Sequence, residues 1–263
     1  MSSVSHCVVL GAGLMGRLLA HSLARLGHRV DVYEAQGPDA LGSAARVAAA
    51  MLAPLAESAI TELPVVRMGQ HALKRWPELL HELQLPVFFQ QNGTLIVWHR
   101  QDASEAQRFA QLLARTQTQL PSLPALQSLE NTALAEKEPA LQDRFQNALY
   151  LPEEGQLDNR QLLATLLDIL PTQGVSLHWN SAKSPEDFSS GNTGQPDWVF
   201  DCQGLGARQE WSALRGVRGE VIRLHAPDVI LQRPTRLIHP RYPIYIAPKP
   251  DHMFVIGATE IET

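Results

Sequence analysis

Cysteine is scarce in this sequence, and neither charge nor hydrophobicity is concentrated in one place. Two cysteines in 263 residues are too few for the disulfide framework of a small secreted domain. The net charge of -5, with acids and bases interspersed, gives no basic stripe for a phosphate backbone. The first apolar run has no cationic flank and is broken by glycines well before it could span a bilayer. We therefore expect a cytoplasmic globular protein with no nucleic-acid or membrane partner.

The cysteines and histidines show neither a disulfide nor a metal-binding pattern. Cys7 and Cys202 each lie in an apolar, strand-like run, which is typical of buried, reduced thiols. Ten histidines are present, but no two are spaced as H-x-x-x-H. Structural or surface roles are therefore predicted for the histidines, and no metal site is predicted.

The beginning of the chain has the pattern of a βαβ unit. His6–Leu10 is apolar, Leu18–Leu26 has helical spacing, and Val30–Tyr33 is rich in β-forming residues. Gly27 follows the helical segment, where a helix favours a residue free to adopt positive φ. Two parallel strands joined by a right-handed crossover are therefore predicted.

A dinucleotide-binding fingerprint falls inside this unit. Gly11, Gly13 and Gly16 follow the first strand and open the helix, and Glu34 closes the second strand. The glycines permit a tight turn and a close approach of pyrophosphate to the backbone, while the acidic side chain binds ribose hydroxyls. A glycine-rich connection that binds no nucleotide is the alternative, and the fingerprint does not separate FAD from NAD.

The rest of the chain alternates between helical and β patterns without an internal repeat. Asn92-Gly93 is a strong turn signal between two short β-rich runs, which predicts a hairpin. The predicted elements are helices from Leu63 to about Leu85, at Ser104–Thr118 and at Asn159–Leu170, hairpin strands at Val87–Gln90 and Thr94–Trp98, a surface loop at Ser184–Pro196, and strands at Gly174–Trp179, Asp197–Cys202, Glu220–Leu224, Pro243–Pro248 and Met253–Gly257.

Separated motifs extend the pattern far beyond the fingerprint. They are Gly42–Pro54 (GSAARVAAAMLAP), Glu154–Asp158 (EGQLD), Asp201–Ala207 (DCQGLGA), Arg218–Glu220 (RGE), Tyr245–Lys249 (YIAPK) and Gly257–Thr259 (GAT). With the fingerprint, they resemble the D-amino-acid-oxidase-like FAD-dependent oxidoreductases, and within them the glycine oxidases of thiamine biosynthesis. The resemblance covers nearly the whole chain.

The resemblance implies an α/β fold in which a Rossmann-like FAD-binding domain carries an inserted, mostly antiparallel β-sheet substrate domain. The FAD-binding domain is expected at residues 1–85 and 150–212, and the substrate domain at 86–149 and 213–263. The implied cofactor is FAD. The residues implied to bind it are Gly11, Gly13, Leu14, Met15, Gly16, Glu34, Ala35, Ser43, Ala49, Ala50, Met51, Cys202, Gly204 and Gly206.

The chain departs from the family pattern in two places. Ala48-Ala49-Ala50 stands where the family usually has Ala-Gly-Gly, at a point where the backbone passes close to the flavin. The family also continues for about a quarter of its length after the Gly-Ala-Thr strand, including an arginine that pairs with the substrate carboxylate. Since this sequence stops at Thr263, a C-terminally truncated substrate domain is expected.

The resemblance also implies the chemistry. The Cα–H of an amine passes as hydride to flavin N5, water hydrolyses the resulting imine, and oxygen is reduced to hydrogen peroxide. The implied substrate is glycine or another small amino acid or amine, and Tyr245 is the residue expected to contact it. An ordinary aromatic on a half-buried strand is the alternative for Tyr245, and core packing is the alternative for Met51.

Three other functions stay open from the residues. A related D-amino-acid or secondary-amine oxidase differs in pocket size, which the sequence does not give. A tRNA-modifying flavoenzyme of the same fold would require a basic face, which is lacking. A catalytically inactive nucleotide-binding module is the third alternative. A homo-oligomer is compatible with all of them.

Overall fold

The computed structural model describes residues 3–84, 86–189, 194–241 and 244–262. Leu85, Pro243, Thr263 and part of the predicted 184–196 loop lie outside the described residues. The described residues include no helix long and apolar enough to cross a membrane.

Strands and helices are interspersed up to about residue 172, and strands predominate in the remainder of the described chain. The strands are β1 (His6–Leu10), β2 (Arg29–Tyr33), β3 (Met51–Leu52), β4 (Phe89–Gln90), β5 (Thr94–Trp98), β6 (Gln127–Glu130), β7 (Asn147–Leu151), β8 (Gly155–Leu157), β9 (Ser176–His178), β10 (Trp198–Asp201), β11 (Val217–Arg218), β12 (Val221–His225), β13 (Thr235–Ile238), β14 (Ile244–Lys249), β15 (Met253–Gly257) and β16 (Ile261–Glu262). The helices are α1 (Leu14–Arg25), α2 (Ala44–Val47), α3 (Pro54–Glu57), α4 (Leu63–Leu83), α5 (Ala103–Gln119), α6 (Asn131–Lys137) and α7 (Asn159–Thr172).

The first compact unit is formed by the described residues of Met1–Ala48 and Asn159–Val217, together with Glu262. Its sheet has the order β10-β1-β2-β9, and all its neighbouring strands are parallel. Parallel strands need crossovers, and α1 provides the one between β1 and β2, as predicted. The sheet and its helices bury an apolar core that consists of Cys7, Val9, Ala12, Ala20, Val30, Val32, Leu170 and Val175. Both cysteines are free thiols.

The second compact unit comprises Ala49–Asp158 and Arg218–Ile261. Its main sheet has the order β12-β15-β14-β13-β5-β7-β6 and is antiparallel except for the β13–β5 pair. A smaller antiparallel sheet has the order β3-β8-β4. One apolar core contains Ile96 and Leu149 from the main sheet together with Leu55 and Ala56 of α3.

The predicted hairpin between residues 87 and 98 is wrong. Gly93 has the positive φ of +86° that the Asn-Gly signal indicates, but β4 and β5 do not pair with each other. β4 pairs with β8, and β5 pairs with β7 and β13. The N–H of Gly93 donates to the carbonyl oxygen of Glu154, 2.8 Å away. The backbone groups of β4 and β5 thus bond to strands that are remote in sequence. The turn at Gly93 therefore connects two sheets instead of closing a hairpin.

The first segment of the first compact unit ends at Ala48, whereas the boundary of the FAD-binding domain was expected near residue 85. The α4 helix and its neighbour α3 fall in the second unit because Val66 of α4 packs into the same core as Leu55 and Ala56. Residues 150–158 also fall there, since β8 pairs with β3 and β4. The role of each unit remains a prediction at this point.

Candidate functional site

The glycines of the fingerprint form the turn between β1 and α1. Gly11 has a φ of +93°, and a Cβ at this position would lie 2.7 Å from the carbonyl oxygen of Cys202. A Cβ at Gly16 would lie 1.9 Å from the carbonyl oxygen of Gly11. Both positions therefore exclude a side chain: Gly11 through its backbone conformation and the neighbouring strand end, Gly16 through the helix–strand approach.

The start of α1 leaves backbone donors available. Gly13 is the N-cap residue and makes no side-chain capping bond. The N–H groups of the first helical turn have no intrahelical acceptor, as at every helix N-terminus. A Cβ at Gly13 would lie 3.2 Å from Oγ of Ser43, which shows how closely these two segments approach. Free N–H groups at the positive end of a helix dipole suit a pyrophosphate.

Glu34 is fixed at the end of β2 by two backbone donors. Ala12 N–H donates to Oε2 at 2.7 Å, and Gln36 N–H donates to Oε1 at 3.0 Å. Each carboxylate oxygen keeps a second lone pair for a ligand hydroxyl. The carboxylate is thus positioned beside the glycine turn, as ribose binding requires.

These groups surround a cavity of about 570 Å³ in the first unit. This volume lies within the range of small-molecule sites, about 300–1,000 Å³. The predicted residues that line the cavity are Gly11, Gly13, Leu14, Met15, Glu34, Ala35, Ser43, Cys202, Gly204 and Gly206. Gly16 does not line the cavity, because it packs against Gly11. Cys202 does line it, and burial raises the pKa of its thiol.

Arg17 holds the glycine turn in place, although no sequence pattern indicated this role. Its side chain is buried and donates to the carbonyl oxygens of Ala12, Leu163 and Pro38, each 2.7 Å away. Burial lowers its pKa, an effect opposed by the Glu34 carboxylate. A buried guanidinium with three acceptors ties the glycine turn to α7 and to the loop after β2.

Asn159 is a second supporting residue that no sequence pattern singled out. It begins α7, is buried, and its Nδ2 donates to the carbonyl oxygens of Ala45 and Ala48, the latter at 2.8 Å. The short helix α2 is therefore held from α7, which fixes Ser43 and the start of α2 at the cavity wall. Lys183, which also lines the cavity, adds a cation that sequence spacing did not indicate.

Three predicted residues meet in the second unit and are not among the residues that line the cavity. Buried Ala49 packs with Met51, Val221, Tyr245, Ala247 and Val255. Ala50, between the first two, has a φ of +54°. This left-handed conformation is the one that glycine adopts without strain, so the departure from Ala-Gly-Gly falls on a residue with a real conformational cost.

Two buried ionisable groups lie in the same unit. Oε1 of Glu154 accepts hydrogen bonds from the N–H groups of Leu55 and Ala56, both at 2.9 Å, and burial raises the Glu154 pKa to about 8. Nζ of Lys249 donates to Oε1 of Gln156 at 3.0 Å and to the Leu157 carbonyl at 2.8 Å. Burial lowers the Lys249 pKa to about 7. Within the described residues, no group of three or more His, Cys, Asp or Glu could hold a metal ion.

The parallel sheet, the glycine turn and the fixed carboxylate are the features of a Rossmann-like dinucleotide-binding fold. The residues present fit such a ligand, because Gly11 and Gly13 carry no Cβ where the turn lines the cavity, and the start of α1 lines the same cavity.

A protein family matches nearly the whole chain. Residues 6–263 match the family described as DAO, FAD dependent oxidoreductase, and the chain belongs to this family. It is therefore an oxidoreductase whose cofactor is FAD.

Individual relatives agree with this assignment. A putative thiamine biosynthesis oxidoreductase ThiO from Rhizobium etli is 37% identical, with 97% of this chain and 71% of the relative covered. A glycine oxidase from Geobacillus kaustophilus is 25% identical, covering 95% of this chain and 69% of the relative. The crystal structure of glycine oxidase from Bacillus cereus superposes with a TM-score of 0.78 at 20% identity, covering 98% of this chain and 72% of that chain.

Proposed function

We propose that the protein catalyses the oxidative deamination of glycine or another small amino acid, with oxygen reduced to hydrogen peroxide. The names of two relatives, a thiamine biosynthesis oxidoreductase and a glycine oxidase, support this choice of reaction. The first unit is proposed to bind FAD through the glycine turn and Glu34, and the second to bind the amine.

The observation that carries the proposal is the cluster in the second unit. Ala49 and Met51 come from the alanine-rich motif, and Tyr245 comes from a strand near the other end of the sequence. Motifs that are remote in sequence and share one chemistry in the family are in contact here. Met51 and Tyr245 are only half-buried, so both have surface available to a ligand.

Tyr245 is suited to donate a hydrogen bond to a substrate carboxylate. Burial raises the pKa of its hydroxyl, and the carboxylates of Glu57 and Glu260 raise it further. A phenol whose pKa lies above its usual value of about 10 stays protonated at neutral pH. The hydroxyl is therefore a donor throughout the physiological range, and it orients the substrate without exchanging a proton.

FAD, when bound, supplies the two-electron acceptor for the substrate amine. The amine must be neutral for its lone pair to assist the oxidation, and no strong protein base is needed for that step. The contribution of this chain is then orientation, by Tyr245, and packing, by Ala49 and Met51.

The test is anaerobic mixing of the FAD-loaded protein with glycine, followed by absorbance near the flavin maximum. Bleaching with glycine supports the proposal, and a spectrum unchanged by glycine and by other small amino acids contradicts it. Tyr245→Phe should raise KM more than it lowers kcat, because the hydroxyl binds but does not react. Tyr150→Phe is the matched control, since its hydroxyl bonds only to the carbonyl of Asn92, 3.1 Å away, within the described residues.

A further inference from the structure

Lys249 is a buried lysine at the end of β14. It is 6% exposed, and its Nζ donates to Oε1 of Gln156 at 3.0 Å and to the carbonyl oxygen of Leu157 at 2.8 Å. Both acceptors belong to β8, so this side chain joins the main sheet of the second unit to the smaller one. The proposed chemistry does not use this lysine.

Gln156 carries this contact to Met51. Gln156 is fully buried, and its Nε2 donates to Oε1 of Gln90 at 2.9 Å. The register of the smaller sheet places Gln156 opposite Gln90 on one side and opposite Met51 on the other. Directly opposed residues of antiparallel strands place their side chains on the same face, with Cβ atoms about 4.5–5.5 Å apart. The amide that Lys249 holds therefore lies beside Met51.

The same lysine lies on the sheet face that carries Tyr245. Successive side chains of a strand point to opposite faces, so Tyr245, Ala247 and Lys249 share one face of β14. Met51 and Tyr245 both pack against the cluster that contains Ala247. Lys249 is thus linked to the proposed substrate contact from two directions, along β14 and through Gln156.

The contact of Lys249 with β8 can be made in two charge states. Its two hydrogen bonds need only two N–H groups, which a neutral amine still has. Burial lowers the pKa of Lys249 to about 7, so the amine changes charge near neutral pH. A charge-assisted hydrogen bond is shorter and stronger than a neutral one. Protonation should therefore strengthen the bond from Nζ to Gln156.

The charged and titratable groups that face Lys249 come from both ends of β8 and from β12. Asp158, directly after β8, favours the ammonium, and Arg223 of β12 opposes it. His225 of β12 lies in the same cross-strand row as Lys249, two strands away. Glu154, directly before β8, has a pKa of about 8. An experiment that varies pH must therefore separate Lys249 from His225 and Glu154.

We propose that Lys249 is a positioning residue for the substrate site: through Gln156 it fixes the side chain of Met51, and the charge on its amine sets how firmly. The inference rests on the proposed function, because it takes Met51 and Tyr245 as parts of the amine site. In this role Lys249 acts through Gln156 and does not itself bind the amine.

Methionine methyl NMR of the FAD-loaded protein tests this role. The chain has five methionines, and Met51→Leu identifies the signal of Met51. In wild type that signal should shift between about pH 6 and pH 8, with a midpoint near the Lys249 pKa of about 7. Lys249→Leu should abolish this midpoint, because no amine remains to titrate. Lys74→Leu, at an exposed position of α4, is the matched control and should leave the midpoint unchanged.

Further variants keep the test decisive if Lys249→Leu does not fold. Gln156→Glu places a carboxylate at the contact, so the midpoint should rise by about one pH unit or more. Glu154→Gln and His225→Gln remove neighbouring titratable groups and should leave the midpoint near that of wild type. The proposal is overturned if Met51 does not titrate, if its midpoint survives in Lys249→Leu or is lost in Glu154→Gln or His225→Gln, or if Gln156→Glu does not raise it.

Kinetics separate this inference from the proposed function. The KM for glycine should change with the same midpoint in wild type but not in Lys249→Leu. A titrating Met51 in a protein whose KM shows no such midpoint would overturn the link to the substrate site. The expected Met51 titration in a protein whose flavin no amino acid reduces would instead overturn the proposed function and leave Lys249 as the residue that fixes Met51.

Discussion

The carbonyl oxygen of Gly11 occupies the space that a side chain at Gly16 would need. A Cβ at Gly16 would lie 1.9 Å from this oxygen, well inside van der Waals contact. The β1–α1 turn is therefore compact because residue 16 has no side chain, and the turn's donors are positioned by this contact.

Gly16→Ala should strongly destabilise the first unit. The clash is with backbone, which cannot rotate away, so we expect a loss of roughly 2–4 kcal/mol in the free energy of unfolding and weaker FAD binding. Urea denaturation and flavin content measure the two effects. Gly37→Ala is the matched control, because the nearest atom to a Cβ at Gly37 would be Asp39 Oδ1, 3.8 Å away. Equal stability of the two variants would contradict the tight approach.

Glu34→Ala should weaken FAD binding by roughly 1–3 kcal/mol, because hydrogen bonds to a carboxylate are charge-assisted. Part of the loss arises from the released N–H groups of Ala12 and Gln36. Titration of the apoprotein with FAD, followed by flavin fluorescence, gives the affinity. Glu136→Ala, at an exposed position of α6, should leave it unchanged. An unaltered affinity in Glu34→Ala would count against the dinucleotide pose.

Ala50→Gly should stabilise the protein, although glycine is usually the less stable choice. Relief of the left-handed strain at a φ of +54° outweighs the added chain entropy, with a net gain of about 0.5–1 kcal/mol. Ala48→Gly is the matched control: Ala48 has a φ of -57°, so glycine there should cost about 0.5–1 kcal/mol. Chemical denaturation of both variants checks the opposite signs, and a loss in each would refute the strain at Ala50.

Glu154 should make stability depend on pH. Its pKa is about 8 in the folded chain and near 4.3 when unfolded, so the folded state binds more protons between these values. The stability it contributes is fully present below about pH 4.3 and is lost as the pH rises to about 8. Glu154→Gln cannot ionise, so it should flatten this fall; each pKa unit corresponds to about 1.4 kcal/mol.

Thermal unfolding of wild type and Glu154→Gln at several pH values between 4.5 and 9 provides the measurement. Lys249 acts in the opposite direction, since its lowered pKa of about 7 makes stability rise with pH above that value. The difference between the two proteins isolates Glu154, because Lys249 is common to both. A constant difference across the range would show that Glu154 is ionised in the folded chain.

Much of the nucleotide site could be predicted, because its signals are local. Gly11, Gly13, Gly16 and Glu34 are placed by one strand, one turn and one helix, and short-range sterics decide their conformations. The confirmed helices, such as α5 and α7, follow from periodicity in the same way. The departure from the family's Ala-Gly-Gly also includes Ala50, the residue that has a positive φ.

The tertiary structure decided the features that depend on distant partners. Asn92-Gly93 predicted a hairpin, but the choice of strand partners belonged to β8 and β7, which lie far along the chain. The buried position of Arg17 likewise depends on the Leu163 carbonyl, and Arg236 meets Tyr245 only through sheet register. Sequence spacing therefore determined the backbone turn that is proposed to bind the dinucleotide, because residues adjacent in sequence form that turn. The pairing of strands is non-local, and so is the ion pair of Arg236 with Glu57 beside Tyr245. Only the folded chain therefore fixes them.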